Sequence, residues 1–237
     1  MKITAQQIDL CCPESEVYNR LLSLDNSVIL ELGCGNAEIT RKIATSGQNR
    51  IITAMEVDEI AHNKNLQITD LPNVSFGLAG AQEIPLADAS VDVVFMFKSL
   101  HHVPLELMET SLKEIRRVLK PGGYAYISEP VFSGDFNQIL RLFHDEEIVR
   151  TAAFRAVKKS VANGLFELVE EVFFNTPRSF EDFSEFENGT IKATHSSHKL
   201  DEKLYLRVKR SFEEHMGVDG AHFVIPIRVD LLRRPDV

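Results

Sequence analysis

Glu31, Gly33 and Gly35 combine an acid with a glycine turn at the end of one apolar run, Val28-Ile29-Leu30-Glu31-Leu32-Gly33-Cys34-Gly35. Glycine at 33 and 35 permits left-handed dihedrals and leaves no Cβ between backbone and ligand. A helix starting after the turn offers N–H groups that no intrahelical carbonyl accepts. This geometry suits an adenosine-bearing ligand. The acid selects among such ligands, because a carboxylate there repels pyrophosphate and receives an ammonium group. The third glycine of a dinucleotide fingerprint is missing, since Asn36-Ala37-Glu38 follows Gly35. A nicotinamide or flavin dinucleotide is therefore disfavoured. A tight strand-to-helix turn with no ligand is the plain alternative.

A second acid, Glu56, ends the next apolar run, 51–55. It stands about 20 residues past the turn, where a carboxylate accepts ribose hydroxyls in an α/β crevice. Asp58 is the fallback for that role and a candidate cap of the following helix. Lys98 follows Phe97 at the C-terminal end of a fourth apolar run, the edge at which open α/β sheets place ligands. Its ammonium suits a carboxylate of cofactor or substrate, unless it is a surface lysine or pairs with Glu129. His101 and His102 precede Val103-Pro104 at a helix entrance. Either is a candidate general base, with packing or capping as the alternative. No metal site is expected: the histidines have no third ligand at ligating spacing, and Cys11-Cys12 lacks partners in the same way. Glu129, before Pro130, is placed to orient a substrate donor. Arg228 interrupts the apolar run Pro226-Ile227-Arg228-Val229, so it is edge-exposed or paired, and with 222–226 it is a candidate for lining an acceptor cavity. Arg141, His144 and Arg155 read as solvated helix residues.

The elements that must position these groups follow from periodicity. Runs at 28–32, 51–55, 73–78, 91–97 and 124–128 are apolar on both faces, as strands of a covered parallel sheet are. Helical spacing marks 14–24, 36–46 (with Asn36 as cap and Gly47 as stop) and 104–119, opened by Pro104 and ended by Lys120-Pro121-Gly122-Gly123. Strand and helix alternate at short spacing, which predicts right-handed crossovers in a doubly wound α/β sheet. Beyond it, 135–161 reads as one long helix, broken or whole. Segments 167–176 and 222–232 read as two further strands, with helices at 179–186 and 201–216 around the polar stretch 188–198.

Composition narrows the function. The chain has 237 residues, 44% hydrophobic and 26% charged, with a net charge of −9. That length suits one domain, or one domain with a cap. The acidic balance disfavours a large nucleic-acid face. No stretch reaches the roughly 18 apolar residues of a membrane span. Three cysteines, one in the glycine turn, argue against a disulfide framework. With no apolar signal core near residue 1, a cytoplasmic protein is expected. Nothing in the pattern specifies an oligomeric state.

Three segments resemble one family. ELGCGNA is similar to the first motif of class I S-adenosylmethionine-dependent methyltransferases, whose ligand carries an ammonium and no phosphate. AGAQEIPLADASVDVVFMFKSLHHV and LKEIRRVLKPGGYAYISEP resemble the segments around that family's fourth and fifth strands, in its small-molecule (methyltransferase type 11, UbiE-like) branch. The resemblance covers about 28–130. It implies a single Rossmann-like domain of about seven strands, mostly parallel with an antiparallel last strand. Residues 28–130 would form the cofactor core, 131–220 a small helical cap with substrate elements, and 222–233 the last strand. It also implies S-adenosylmethionine as cofactor, S-adenosylhomocysteine as product, and a cofactor site of Glu31, Gly33, Cys34, Gly35, Glu56, Val57, Gly80, Ala81, Gln82, Phe97 and Lys98. Lys98, His102, Glu129 and Arg228 would face the acceptor. One departure stands out: Gly80 occupies the place of an acid that meets the adenine amino group, and Gln82 or a backbone carbonyl is the candidate replacement. The expected reaction is methyl transfer to a small polar acceptor, carboxylated or not, at N, S or O. A quinone-type apolar acceptor, an RNA, and a non-catalytic binding module are the alternatives.

Overall fold

The computed structural model describes residues 1–192 and 200–236. The first strand, β1 (Val28–Leu32), lies at the centre of an eight-stranded sheet. β2 (Ile51–Glu56) and β4 (Val91–Phe97) flank it in parallel, and β3 (Val74–Leu78) pairs with β2. β5 (Leu119–Pro130) continues the parallel set beyond β4. β6 (Glu167–Phe180) forms the far edge, β7 (Met216–Gly217) is a short hairpin arm, and β8 (Gly220–Arg233) runs antiparallel between β5 and β6. The order is β3-β2-β1-β4-β5-β8-β6, as expected of a mostly parallel sheet with an antiparallel last strand. It reverses direction at β1 and β4, so their C-terminal ends border the crevice in which such sheets bind ligands.

The double-sided apolar pattern of the strands has its cause in two cores. On β1 and β4, Leu30, Leu32, Val94 and Met96 pack on one face, while Ile29, Val93, Phe95 and Phe97 pack on the other. Each such buried aliphatic side chain contributes roughly 1.5–3 kcal/mol. The first face is covered by α4 (Met108–Val118), through Met108, Leu112, Ile115 and Val118, and by α6 (Glu147–Ala162) through Ala153 and Val157. The second is covered by α1 (Glu14–Leu21) and α2 (Glu38–Thr45), through Val17, Tyr18 and Ile43. α3 (Glu59–Asn65) follows β2 and is capped by Asp58, which accepts from the Ile60 and Ala61 N–H groups.

Several boundaries differ from the periodicity. Asn36 does not cap α2, because Ala37 occupies the cap position in a left-handed conformation and makes no side-chain cap bond. Pro104 opens a 3-10 turn rather than a helix, and α4 begins only at Met108. Lys120–Gly123 does not end a helix outside the sheet. β5 starts at Leu119 and detours through these residues, so that Val91 pairs with Leu119 and Val93 with Tyr124. The long helix breaks into α5 (Asp135–Leu140) and α6. The segment expected as a helix from 179 starts later, with α7 (Phe183–Phe186) and a π-turn after β6 has run on to Phe180. The last helix is α8 (Glu202–Glu213). Residues 193–198 of the polar stretch lie outside the described residues. Phe180, Phe183, Phe186, Phe212 and Phe223 form a third core beneath α7 and α8, which absorbs much of the phenylalanine content.

Candidate active site

The turn after β1 is held mostly by hydrogen bonds that have main chain on at least one side. Gly33 and Gly35 have φ of +73° and +54°. The N–H groups of Gly33 and Cys34 both donate to the Met55 carbonyl, at 2.8 and 3.0 Å. A Cβ on Gly33 would stand 2.6 Å from Cβ of Ser99, whose Oγ donates to the Leu32 carbonyl at 2.8 Å. A Cβ on Gly35 would meet nothing within 4 Å, so bare backbone borders open space there. Asn65 completes the turn from α3: it is buried, and its amide donates to the Gly35 carbonyl at 2.8 Å. No spacing rule points to Asn65. Its only sequence signal is an amide at the end of a short helix.

Two acids flank the turn. Glu31 is buried and accepts from Oγ1 of Thr40 at 2.7 Å. Burial pushes its carboxyl up to about 7, against the Thr40 hydrogen bond and with the help of nearby Glu14 and Glu56. Glu56 accepts from the N–H groups of Gly35 and Val57, both at 2.7 Å, and of Asp58 at 3.0 Å. Three backbone donors leave part of its lone-pair capacity open. The Cys34 thiol is pushed up by burial and sits against the Asn65 amide, so it is a packing group rather than a thiolate. At the third position, the Gln82 side chain lies over Gly80, where any Cβ on residue 80 would collide with its amide.

A cavity of about 440 Å³ opens beyond Lys98. Its walls include Lys98, His101, His102, His144, Glu146 and Arg150, together with Phe136, Leu140, Phe143 and Ile225. Lys98 has a φ of +53° and pairs with Glu14 at the start of α1, not with Glu129. Glu129 is turned away from the cavity. It accepts from the Leu100 N–H at 2.9 Å and binds Nδ1 of His101. Nε2 of His101 faces Oε1 of Glu146 at 3.5 Å. Burial lowers the His101 pKa, but Glu129 and Glu146 outweigh it and raise it to about 9. The ring between two carboxylates is thus a held group and not an available base.

Arg228 does not line the cavity. Its Nε donates to Asp230 at 2.9 Å, and its guanidinium lies 4.6 Å over the Phe154 ring, all buried. His222 is exposed and bonds to Ser179 at 2.9 Å, away from the lining. His144 is no plain solvated residue, since Nε2 meets Oε1 of Glu146 at 2.8 Å. Arg150 holds the other oxygen at 2.5 Å. Glu146 and Arg150 escaped the sequence reading, because the break between α5 and α6 that aims them inward carries no glycine or proline.

Residues 30–127 match a family model described as a methyltransferase domain. An O-methyltransferase of Aspergillus nomiae is 34% identical over 48% of this chain and 51% of that protein. The 27-O-demethylrifamycin SV methyltransferase of Amycolatopsis mediterranei is 34% identical over 40% of this chain and 35% of its own length. A SAM-dependent methyltransferase of Methanosarcina mazei shares the fold, with a TM-score of 0.58 and 17% identity, over 92% of this chain and 97% of that one. The chain spans about half, or less, of the length of the curated relatives it matches. Residues 30–127 are thus a methyltransferase domain by this match, and the fold of the chain is that of solved S-adenosylmethionine-dependent methyltransferases. Its described residues include no helix long and apolar enough to cross a membrane.

Proposed function

We propose that the protein transfers a methyl group from S-adenosylmethionine to a small polar acceptor that carries a carboxylate. The observation that supports this most is the placement of two adjacent residues. Ser99 packs under the glycine turn while Lys98 lines the cavity, so cofactor turn and acceptor space meet at one strand end. The cofactor brings an electrophilic methyl on sulfonium; the protein contributes orientation and exclusion of water. Glu31 would receive the cofactor's ammonium, Gly33, Cys34 and Gly35 its backbone approach, and Glu56 with Val57 its ribose. Ala81 and Phe97 would border the adenosine. Gln82 Oε1, lying over Gly80, would accept from the adenine amino group in place of the absent acid.

On the acceptor side, Lys98, paired with Glu14, and Arg150, paired with Glu146, would share their charge with an acceptor carboxylate, and His102 would give a polar contact. Residues 131–220 and the last strand supply the rest of the wall. A second reading has support in Phe136, Leu140, Phe143 and Ile225, which give the same cavity an apolar wall suited to a quinone-type ring. The first reading requires no strong base when the acceptor atom is a free amine or a thiolate.

Calorimetric titration with S-adenosylmethionine and S-adenosylhomocysteine tests the cofactor assignment: micromolar binding is expected, and none up to millimolar ligand overturns it. Methyl acceptance is then compared between a pool of carboxylated metabolites and a set of quinols. Turnover confined to the quinols would reject the carboxylate assignment.

A further inference from the structure

One group of donors in the cavity has an arrangement that neither acceptor reading explains. His101, His102 and Glu146 each present a ligating atom to the others, all within 4.8 Å. All three line the cavity. Nε2 of His101 stands 3.5 Å from Oε1 of Glu146. That exceeds a well-formed N–H···O bond of about 3 Å. It is close to the edge of a tetrahedron of donors around a metal, about 3.4 Å for bonds near 2.1 Å.

The surroundings are those of ligands held from behind. Glu129 binds Nδ1 of His101, which fixes the ring with Nε2 facing inward, and a metal there would displace the Nε2 proton. Arg150 holds Oε2 of Glu146 at 2.5 Å, and Oε1 stands between Nε2 of His101 at 3.5 Å and Nε2 of His144 at 2.8 Å, the bond that a metal would displace. A carboxylate behind a ligating imidazole and donors behind a ligating carboxylate are the partners that orient a metal's first ligands. His101 and Glu146 are buried, so two of the three donors are pre-positioned; the third, on the exposed His102, lies within 4.8 Å of both. Two imidazoles and one carboxylate suit a borderline divalent cation such as Zn²⁺. Mg²⁺ and Ca²⁺ prefer all-oxygen shells. Three protein ligands leave at least one coordination position for another molecule.

We propose that His101, His102 and Glu146 bind one divalent transition-metal ion of the zinc type, with its open position facing the acceptor cavity. A hydroxyl, thiol or carboxylate of the acceptor would complete the shell. The inference rests on this donor geometry and not on the methyl-transfer reading.

The test uses tag-free, full-length protein stripped with a chelator, then titrated with Co²⁺ and Zn²⁺ by visible absorption and calorimetry. One equivalent of Co²⁺ with the d–d bands of a low-coordinate site is expected, displaced by Zn²⁺. His102→Ala, at an exposed position, and Glu146→Gln should each weaken binding at least roughly tenfold, and Glu129→Gln by about 10- to 100-fold. Absence of stoichiometric binding up to millimolar metal overturns the proposal. So does binding that His102→Ala and Glu146→Gln leave unchanged. S-adenosylmethionine titrations on the same samples read the cofactor site separately, so failure of one assignment is distinguishable from failure of the other.

Discussion

The glycine-turn side and the acceptor side of the crevice are built on opposite plans. Around Gly33 and Gly35 most contacts have main chain on one side: the Met55 carbonyl accepts from Gly33 and Cys34, Glu56 accepts from the N–H groups of Gly35, Val57 and Asp58, and Ser99 and Asn65 donate to the Leu32 and Gly35 carbonyls. Around His101 they are made by charged side chains from segments remote in the chain: Glu129, Glu146, Arg150, His144. A main-chain cradle tolerates change in side chains while its dihedrals are kept. A side-chain network can be altered one residue at a time. Under the proposed function, the fixed half would serve the shared cofactor and the variable half the acceptor.

The sharpest way to break this contrast is at Glu31, a buried side chain beside the glycine turn. Glu31→Ala should lower S-adenosylmethionine affinity by roughly 10²-fold, the worth of a hydrogen bond to a charged group, and leave the fold intact by circular dichroism. Unchanged affinity would remove Glu31 from the site. The same carboxyl should make cofactor binding pH-dependent. Its folded pKa of about 7 lies above the ordinary value of 4.5, so the free protein holds a proton there between those limits. An ammonium ligand needs the carboxylate, so affinity should rise with pH up to about 7, by close to tenfold per unit at most, and then level off. Calorimetry in buffers of different ionisation enthalpy should show a proton released on binding near pH 6, and none in Glu31→Gln. For the free protein the sign reverses: stability contributed by this group is full below 4.5 and declines as pH rises through 7.

Gly33→Ala tests the main-chain half directly. A positive φ and the close Ser99 side chain should cost about 1–3 kcal/mol in denaturant melts, together with cofactor affinity. Wild-type values for both would mean that the turn relaxes freely. A smaller effect is expected at Gln82→Ala, with roughly five- to tenfold weaker cofactor binding. Adding Gly80→Asp to that variant should restore affinity, because the amide that fills the space above residue 80 is then gone. The smallest effect belongs to Lys98→Met, several-fold on KM for a carboxylated acceptor with cofactor affinity unchanged. Equal KM values would reduce Lys98 to a tether for Glu14.

Legibility in the sequence follows the same division. The placement of Glu31, Gly33, Gly35 and Glu56 around one turn could be read because it depends on neighbours in the chain and on the alternation of strand and helix. Lys98 could be located at a strand end, but its partner could not: Glu14 arrives from the first helix, and Glu129, the nearer candidate by strand order, is taken by His101. Arg228 could be recognised as anomalous in an apolar strand, yet burial against Phe154 and Asp230 rather than the cavity depends on which way β8 faces between β5 and β6.

By itself the sequence determined the parallel core, the glycine turn and its two acids, because hydrophobic period and backbone freedom are local properties. Tertiary structure alone decided the acceptor side. His101, Glu129, Glu146 and Arg150 meet only once the helix after residue 134 breaks and folds its ends over the sheet, and the electrostatics that hold them exist only at those distances.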